Sequence, residues 1–243
     1  SRQQPETQGE IRKGRRQMEK RWNQFEKGTS DCYTDMITKS GDIELWNETF
    51  EVLLDIIKQE REEDPEYAKE LYELDESTDY DYDVEGWLED YMDELGTRGY
   101  LEKLISVCET LLGLFQWKEV SPSEYRLQIA WALRNGKELE KAKEFCEKWY
   151  QEDSGDVMAQ AALILVCIDR GDFETAAGLA ERHLKEHETC TAENEILFLA
   201  ADTLYTATGD KKAGKRIKKA IKEFEKEMQE FLDVMEDAEP LEF

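Results

Sequence analysis

The chain has 243 residues, 40% hydrophobic and 37% charged, with four prolines and fourteen glycines. That balance gives ample material for a core and too few turn formers for a loop-rich or β-sandwich protein. A formal charge of −26 excludes a nucleic-acid binder held by phosphate contacts and favours a partner that brings basic groups.

Along the chain the charge is uneven. Residues 1–30 hold eight Arg/Lys against four Glu, a net of +4, which leaves −30 on the rest. In this arm Ile11, Met18, Trp22 and Phe25 fall on one helical stripe, with Arg12, Lys13, Arg15, Arg16 and Arg21 around it. A basic amphipathic helix can lie on a membrane or bind nucleic acid. Here the net negative charge of the whole repels anionic surfaces. The expectation is therefore an arm docked by its apolar stripe, its cations facing residues 60–94, where seventeen Asp/Glu meet only Arg61 and Lys69.

Residues 31–83 read as an irregular helical segment ending in an acidic linker. Trp46, Phe50, Leu53, Leu54 and Ile57 form one face of a helix over 42–59, preceded by a Ser40-Gly41-Asp42 turn. The turn makes this helix and residues 32–39 a candidate irregular pair, and Pro65 opens a candidate short helix over 65–74. Asp79, Asp81, Asp83 and Asp90 stand at positions one, three, five and twelve of a calcium-loop pattern. The sixth position, glycine in such loops, is Val84, and the twelfth lacks a bidentate Glu. The loop is thus expected to be a solvated linker whose Asp83 caps a helix from residue 84.

From 84 onward the spacing predicts four helix pairs: 84–97 with 100–116, 122–135 with 137–151, 156–170 with 172–187, and 192–208 with 210–236. Ser121-Pro122-Ser123-Glu124 has the form of a capping box with proline at the first helical position. Asp172 and Asp210 follow Gly171 and Gly209, so each glycine can close one helix left-handed while each Asp caps the next. Thr191 is the expected cap of the helix after it. Ala142 and Ala176 occupy matching places in "GKELEKA" and "GDFETAA", 34 residues apart, and "GYLEKL" and "GDKKAG" repeat the pattern on either side.

In these segments, over about residues 84–236, the chain resembles the tetratricopeptide repeat family, whose period is about 34 residues. The family's Trp-Leu-Gly-Tyr signature is absent from the first helices; Arg126, Ile129, Ala130 and Leu133 stand there in the second pair. The resemblance implies an all-α, right-handed α-solenoid over 84–243, with the helix from 210 as a terminal cap. That cap is expected to cover the last pair through Ile217, Ile221, Phe224, Met228, Phe231 and Met235. It also implies a concave groove lined by first helices: Glu89 and Asp93, then Leu127, Trp131 and Arg134, then Ala161 and Leu165, then Leu199 and Thr203. Packing against a neighbouring helix is the alternative role for each. The family's Lys and Asn clamp for a terminal carboxylate is missing from these positions, so the expected ligand is a protein or peptide with hydrophobic and basic residues.

Enzymatic chemistry has little to draw on. His183-Leu184-Lys185-Glu186-His187 matches the inverted zinc-protease motif H-x-x-E-H. Only 56 residues follow it, too few for the α/β domain and third ligand of such enzymes, and its expected place is the solvated tail of a helix. No glycine-rich phosphate loop, G-x-S-x-G elbow or CxxC pair occurs, so no catalytic residue, metal or cofactor is assigned. Seven cations in 211–222 read as a solvated face balanced by i,i+4 pairs to Glu223, Glu225 and Glu227, or as a seat for an acidic peptide. Cys32, Cys108, Cys146, Cys167 and Cys190 lack paired spacing and point to a reducing compartment, hence the cytoplasm. No apolar run has the length of a membrane helix. The function expected is a non-enzymatic interaction scaffold; the alternatives are a peptide-sensing regulator and, behind both, a metal hydrolase through His183, Glu186 and His187.

Overall fold

A computed structural model describes residues 8–187 and 189–237. Among the described residues there are eleven α-helices and no strand. They divide into two compact units, Ser1–Ser121 and Pro122–Phe243.

The first unit contains α1 (Gln8–Thr38), α2 (Ile43–Glu63), the single turn α3 (Glu73–Glu76), α4 (Val84–Thr97) and α5 (Leu101–Leu114). From Gln8 the arm is part of α1, which continues past residue 30 to Thr38 and packs along α2. Lys39 and Gly41 take left-handed backbone between them, and the Asp42 carboxylate accepts from the Glu44 amide to start α2. Trp22 and Phe25 of the apolar stripe are buried as expected. Their surroundings are aromatic: Trp22 stacks on Tyr82 at 4.7 Å, and Phe25 meets the edge of Trp87 at 5.4 Å. Trp87 in turn stacks on Trp46 and Tyr91, joining α1, α2 and α4 through offset rings, each pair worth about 0.5–1.5 kcal/mol beyond its buried area. Arg21 reaches Asp55 at 3.0 Å, short of the 60–94 stretch. The side chains of Ile11, Arg12, Lys13, Arg15 and Arg16 lie outside the described residues.

Two local expectations are corrected here. Residues 65–72 form turns rather than a helix, with Ala68 left-handed, and only the single turn α3 follows. Arg61 holds this loop by donating to the carbonyls of Tyr67, Ala68 and Leu114, its guanidinium over the Phe115 ring. The cap of α4 is not Asp83, whose backbone is left-handed and whose side chain makes no capping bond. Instead the buried Asp75 accepts from the amides of Val84 at 2.6 Å and Glu85 at 3.0 Å.

The second unit contains α6 (Ser123–Asn135), α7 (Leu139–Glu152), α8 (Val157–Asp169), α9 (Phe173–Leu184), α10 (Glu195–Thr208) and α11 (Lys211–Asp237). Their spans follow the three downstream pairs read from the sequence. α8 is apolar on nearly all sides and is accordingly the central helix, in contact with α6, α7, α9 and α10. α10 packs on α8, α9 and α11. Ala142 and Ala176, the residues of the 34-residue step, are both fully buried. Gly171 and Gly209 are left-handed, and Asp172 and Asp210 cap the helices after them. Between α6 and α7, however, Gly136 is right-handed and Lys137 takes the left-handed position.

Two more caps differ from the sequence reading. α6 begins at Ser123, after Pro122 rather than with it, and the Ser123 hydroxyl donates to the Asp156 carboxylate. The same carboxylate accepts from the Trp149 indole at 3.1 Å and, through its other oxygen, from the Met158 amide at 2.9 Å. One side chain thus joins the start of α6, the end of α7 and the start of α8. α10 begins at Glu195, later than a Thr191 cap requires; the Asn194 side chain accepts from the Thr191 amide and donates to the Thr189 carbonyl, ordering the preceding turn.

Candidate functional site

The buried residues of α6 are Ser123, Ile129, Ala130, Ala132 and Leu133. Leu127, Trp131 and Arg134, spaced four and three apart, lie together on its less covered side. Trp131 is 39% exposed, an unusual state for the side chain with the largest apolar payload, while Leu127 and Arg134 are half-buried. On α8 the corresponding line is Leu165, half-buried, and Asp169. Arg134 Nε donates to Asp169 Oδ2 at 2.7 Å, which fixes the open lines of α6 and α8 to one side of the unit. α10 presents Leu199, 46% exposed, and Thr203. The Thr203 hydroxyl donates to the Leu199 carbonyl at 2.9 Å, so its polar group is turned into its own helix.

Six of the expected groove residues are therefore surface residues of one unit, on three helices that pack in the order α6, α8, α10. Ala161 is not among them: it is fully buried, because α8 is covered on both flanks and a small side chain lets its neighbours approach. Glu89 and Asp93 are exposed on α4, away from its buried Trp87, Leu88, Tyr91 and Met92, and belong to the first unit. The electrostatics of the α6–α8–α10 side are muted. Arg134 is neutralised by Asp169, and Arg126 is paired with Glu152 at 3.2 Å beside Trp149. The apolar side chains these three helices leave uncovered are Trp131 and Leu199, exposed, and Leu127 and Leu165, half-buried.

The two metal patterns do not assemble. No cluster of three or more His, Cys, Asp or Glu side chains suited to a cation occurs among the described residues. His183 is not on a solvated tail; it is 4% exposed, and its Nε2 shares a 2.8 Å hydrogen bond with the Tyr150 hydroxyl of α7. Burial holds its imidazole below the ordinary value. The signal for this was present, since 183 lies seven residues after Ala176 and three after Ala180, on the buried stripe of α9. Asp79, Asp81 and Asp83 are exposed, with Asp79, Tyr80 and Asp83 all left-handed. Asp90 faces Tyr33, which it helps to push up in pKa after burial itself.

All five cysteines are buried and unpaired. Burial pushes Cys108 and Cys146 up to about 12, so neither thiol supplies a thiolate nucleophile at neutral pH. No helix of the described residues is long and apolar enough to cross a membrane. No family model, no curated protein and no solved structure matches this chain.

Proposed function

We propose that the second unit is a protein-interaction module of tetratricopeptide-like helix pairs, and that the protein serves as a non-enzymatic scaffold. The first helices of its three pairs, α6, α8 and α10, are the layer that offers the binding surface. The observation that carries this reading is the exposure of Trp131 and Leu199, with half-buried Leu127 and Leu165, on three helices that pack in the order α6, α8, α10. The 34-residue step and the packing of α8 on both α6 and α10 support the repeat assignment. The ligand that fits is a peptide or helix with hydrophobic anchors, and the net charge of −26 favours basic residues around them. Five buried, unpaired thiols support a reducing compartment such as the cytoplasm.

The test compares the wild-type chain with Trp131→Asp/Leu199→Asp as bait in lysate of the source cells. Both positions are exposed, so the variant retains its helical circular dichroism. A tryptophan hot spot contributes about 2 kcal/mol or more, so recovery of the specific partner drops roughly 30-fold. Equal recovery by the two baits refutes the assignment of this surface.

A further inference from the structure

Residues 211–222 of α11 carry seven cations and no carboxylate, and all seven are exposed. At about 100° per residue, Lys211, Lys212, Lys215, Lys219 and Lys222 fall within an arc of about 100° on the side turned away from Ile217 and Ile221, which are buried beneath the helix. The expected balance by carboxylates one turn on is not made. Of Glu223, Glu225 and Glu227 only Glu223 takes a partner, Lys219 at 3.5 Å, and Lys218 reaches Asp202 of α10 at 3.8 Å. Lys211, Lys212, Lys215, Arg216 and Lys222 make no ion pair among the described residues. Cations in the first turns also oppose the macrodipole, so the arrangement costs local stability and is not explained by the helix alone.

This cationic half is also the anchored one. α10 has 14 residues and α11 has 27, so at 1.5 Å per residue about 20 Å of α11 extends past the length of α10. Ile217 and Ile221 are buried, whereas Met228 is 40%, Leu232 50% and Phe231 58% exposed. The terminal helix therefore covers the last pair with its first half alone, contrary to the expected full-length cap; the side chain of Met235 lies outside the described residues. A Cβ at the buried Gly214 would stand 3.6 Å from Tyr205 Cβ, so the first half lies close on α10. Asp210 fixes its start by accepting from the Lys212 and Ala213 amides. The cations thus stand on a helix held at its cap and along its underside, over about 16 Å from Lys211 to Lys222.

We propose that this outward face of α11 is a second docking surface, and that its occupant is a short acidic helix of a partner protein. Lys211, Lys215, Lys219 and Lys222 recur at the spacing of one helix face, so a helix laid alongside with Asp or Glu at the same spacing brings a carboxylate to each. The extent of the patch sets the class of ligand. Past Lys222 the same side of α11 carries Glu230 and Asp233, with Lys226 already paired to Glu230. A polyanion that continues beyond about three turns therefore meets like charge, and nucleic acid and an anionic bilayer both continue. Nor does the face carry an aromatic ring to stack on a base or an apolar side chain to enter a bilayer. A short acidic segment stays within the patch. It also places negative charge near the N-terminus of α11, where the macrodipole favours it.

Fluorescence anisotropy with the full chain and a labelled alanine-rich peptide of about 16 residues tests this. The peptide carries Glu at i, i+4, i+8 and i+11, and its control is a positional isomer with the same Glu residues spread around the helix. The first peptide binds with a Kd of roughly 0.1–1 mM at low salt, and at least about tenfold more weakly at 1 M salt, where the screening length is about 3 Å. The isomer binds at least about fivefold more weakly than the first peptide. Lys211→Glu/Lys215→Glu/Lys222→Glu lies at exposed positions where acids favour the first turns of a helix, so this variant keeps its circular dichroism and loses the peptide. Trp131→Asp/Leu199→Asp binds the peptide as the wild-type chain does, which separates this surface from the one on α6, α8 and α10. Absence of binding, an isomer equal to the first peptide, or a triple variant that still binds overturns the proposal. Duplex DNA or phosphatidylserine vesicles held more tightly than the peptide by the same lysines overturn it in favour of a polyanion. A chain that dimerises through these lysines overturns it in favour of a second copy.

Discussion

Removing the Asp35 carboxylate is expected to loosen three helices of the first unit at once. Its side chain has no exposure and stands where the end of α1, the start of α2 and the end of α4 converge. It accepts from the Ser40 hydroxyl, from the Asp42 amide at 2.9 Å, from the Trp46 indole at 3.0 Å and from Arg98 at 2.6 Å. Arg98 is shared with Glu94 one turn earlier on α4. Burial alone would push this carboxyl up, but the donors outweigh it and hold the group well below the usual carboxylate range. Asp35→Ala leaves the Trp46 indole N–H, the Asp42 amide and one arm of the part-buried Arg98 guanidinium, which Glu94 still holds, without their acceptor, a loss of about 3 kcal/mol. For a unit of this size that lowers the melting temperature by roughly 10 °C or more. Urea titration of wild type, Asp35→Ala, Arg98→Met and the double variant measures it, and the double variant costs less than the sum of the singles because neither charge is then orphaned. The pH dependence has a definite sign. A carboxylate with a depressed folded pKa stabilises fully above its unfolded value of about 3.9 and loses that contribution as pH falls towards the folded one. The gap between wild type and Asp35→Asn therefore narrows below about pH 4. A neutral-pH cost under about 1 kcal/mol, or a gap that persists in acid, refutes the account of Asp35 as the charged pin of this junction.

Lys137→Gly stabilises the second unit by about 1 kcal/mol, because a lysine there bears left-handed backbone that glycine adopts freely, and thermal unfolding reports the gain. His183 acts in the opposite direction to Asp35 with respect to charge: it must stay neutral to remain buried against Tyr150. Stability accordingly falls as pH drops from about 6.5 through its lowered folded pKa, and His183→Gln flattens that slope in urea titrations across the range.

The helices of the second unit were legible because their signals are local. Gly171 and Gly209 are each followed by an Asp, and both the left-handed backbone and the cap occur where those pairs stand. Features that rest on tertiary partners were not legible. Asp156 takes the Ser123 hydroxyl 33 residues away, and no short motif anticipates such a bond. The zinc-protease pattern drew attention to His183 and away from its register with Ala176, which places it inside. Trp131 and Leu199 were legible as surface because each lies opposite its helix's apolar stripe; Ala161 was not, because α8 is apolar nearly all round and no polar stripe marks its open line. The overhang of α11 was hidden by its continuous stripe, which reports periodicity and not the length of the neighbour.

The remote cap on α4 has a consequence for how this chain tolerates change. Asp75 fixes the first amides of α4 from the far side of an acidic loop, residues 77–83, of which no residue caps the helix by its side chain. The helix origin is therefore set by a clasp across the loop's two roots, and the loop between them is decoupled from the register of Trp87 and Tyr91 in the core. Insertions or deletions at residues 79–81 alter exposed positions while Tyr82 keeps its stack on Trp22 and the aromatic core keeps its place, which makes this the part of the loop where new sequence is accepted at least cost.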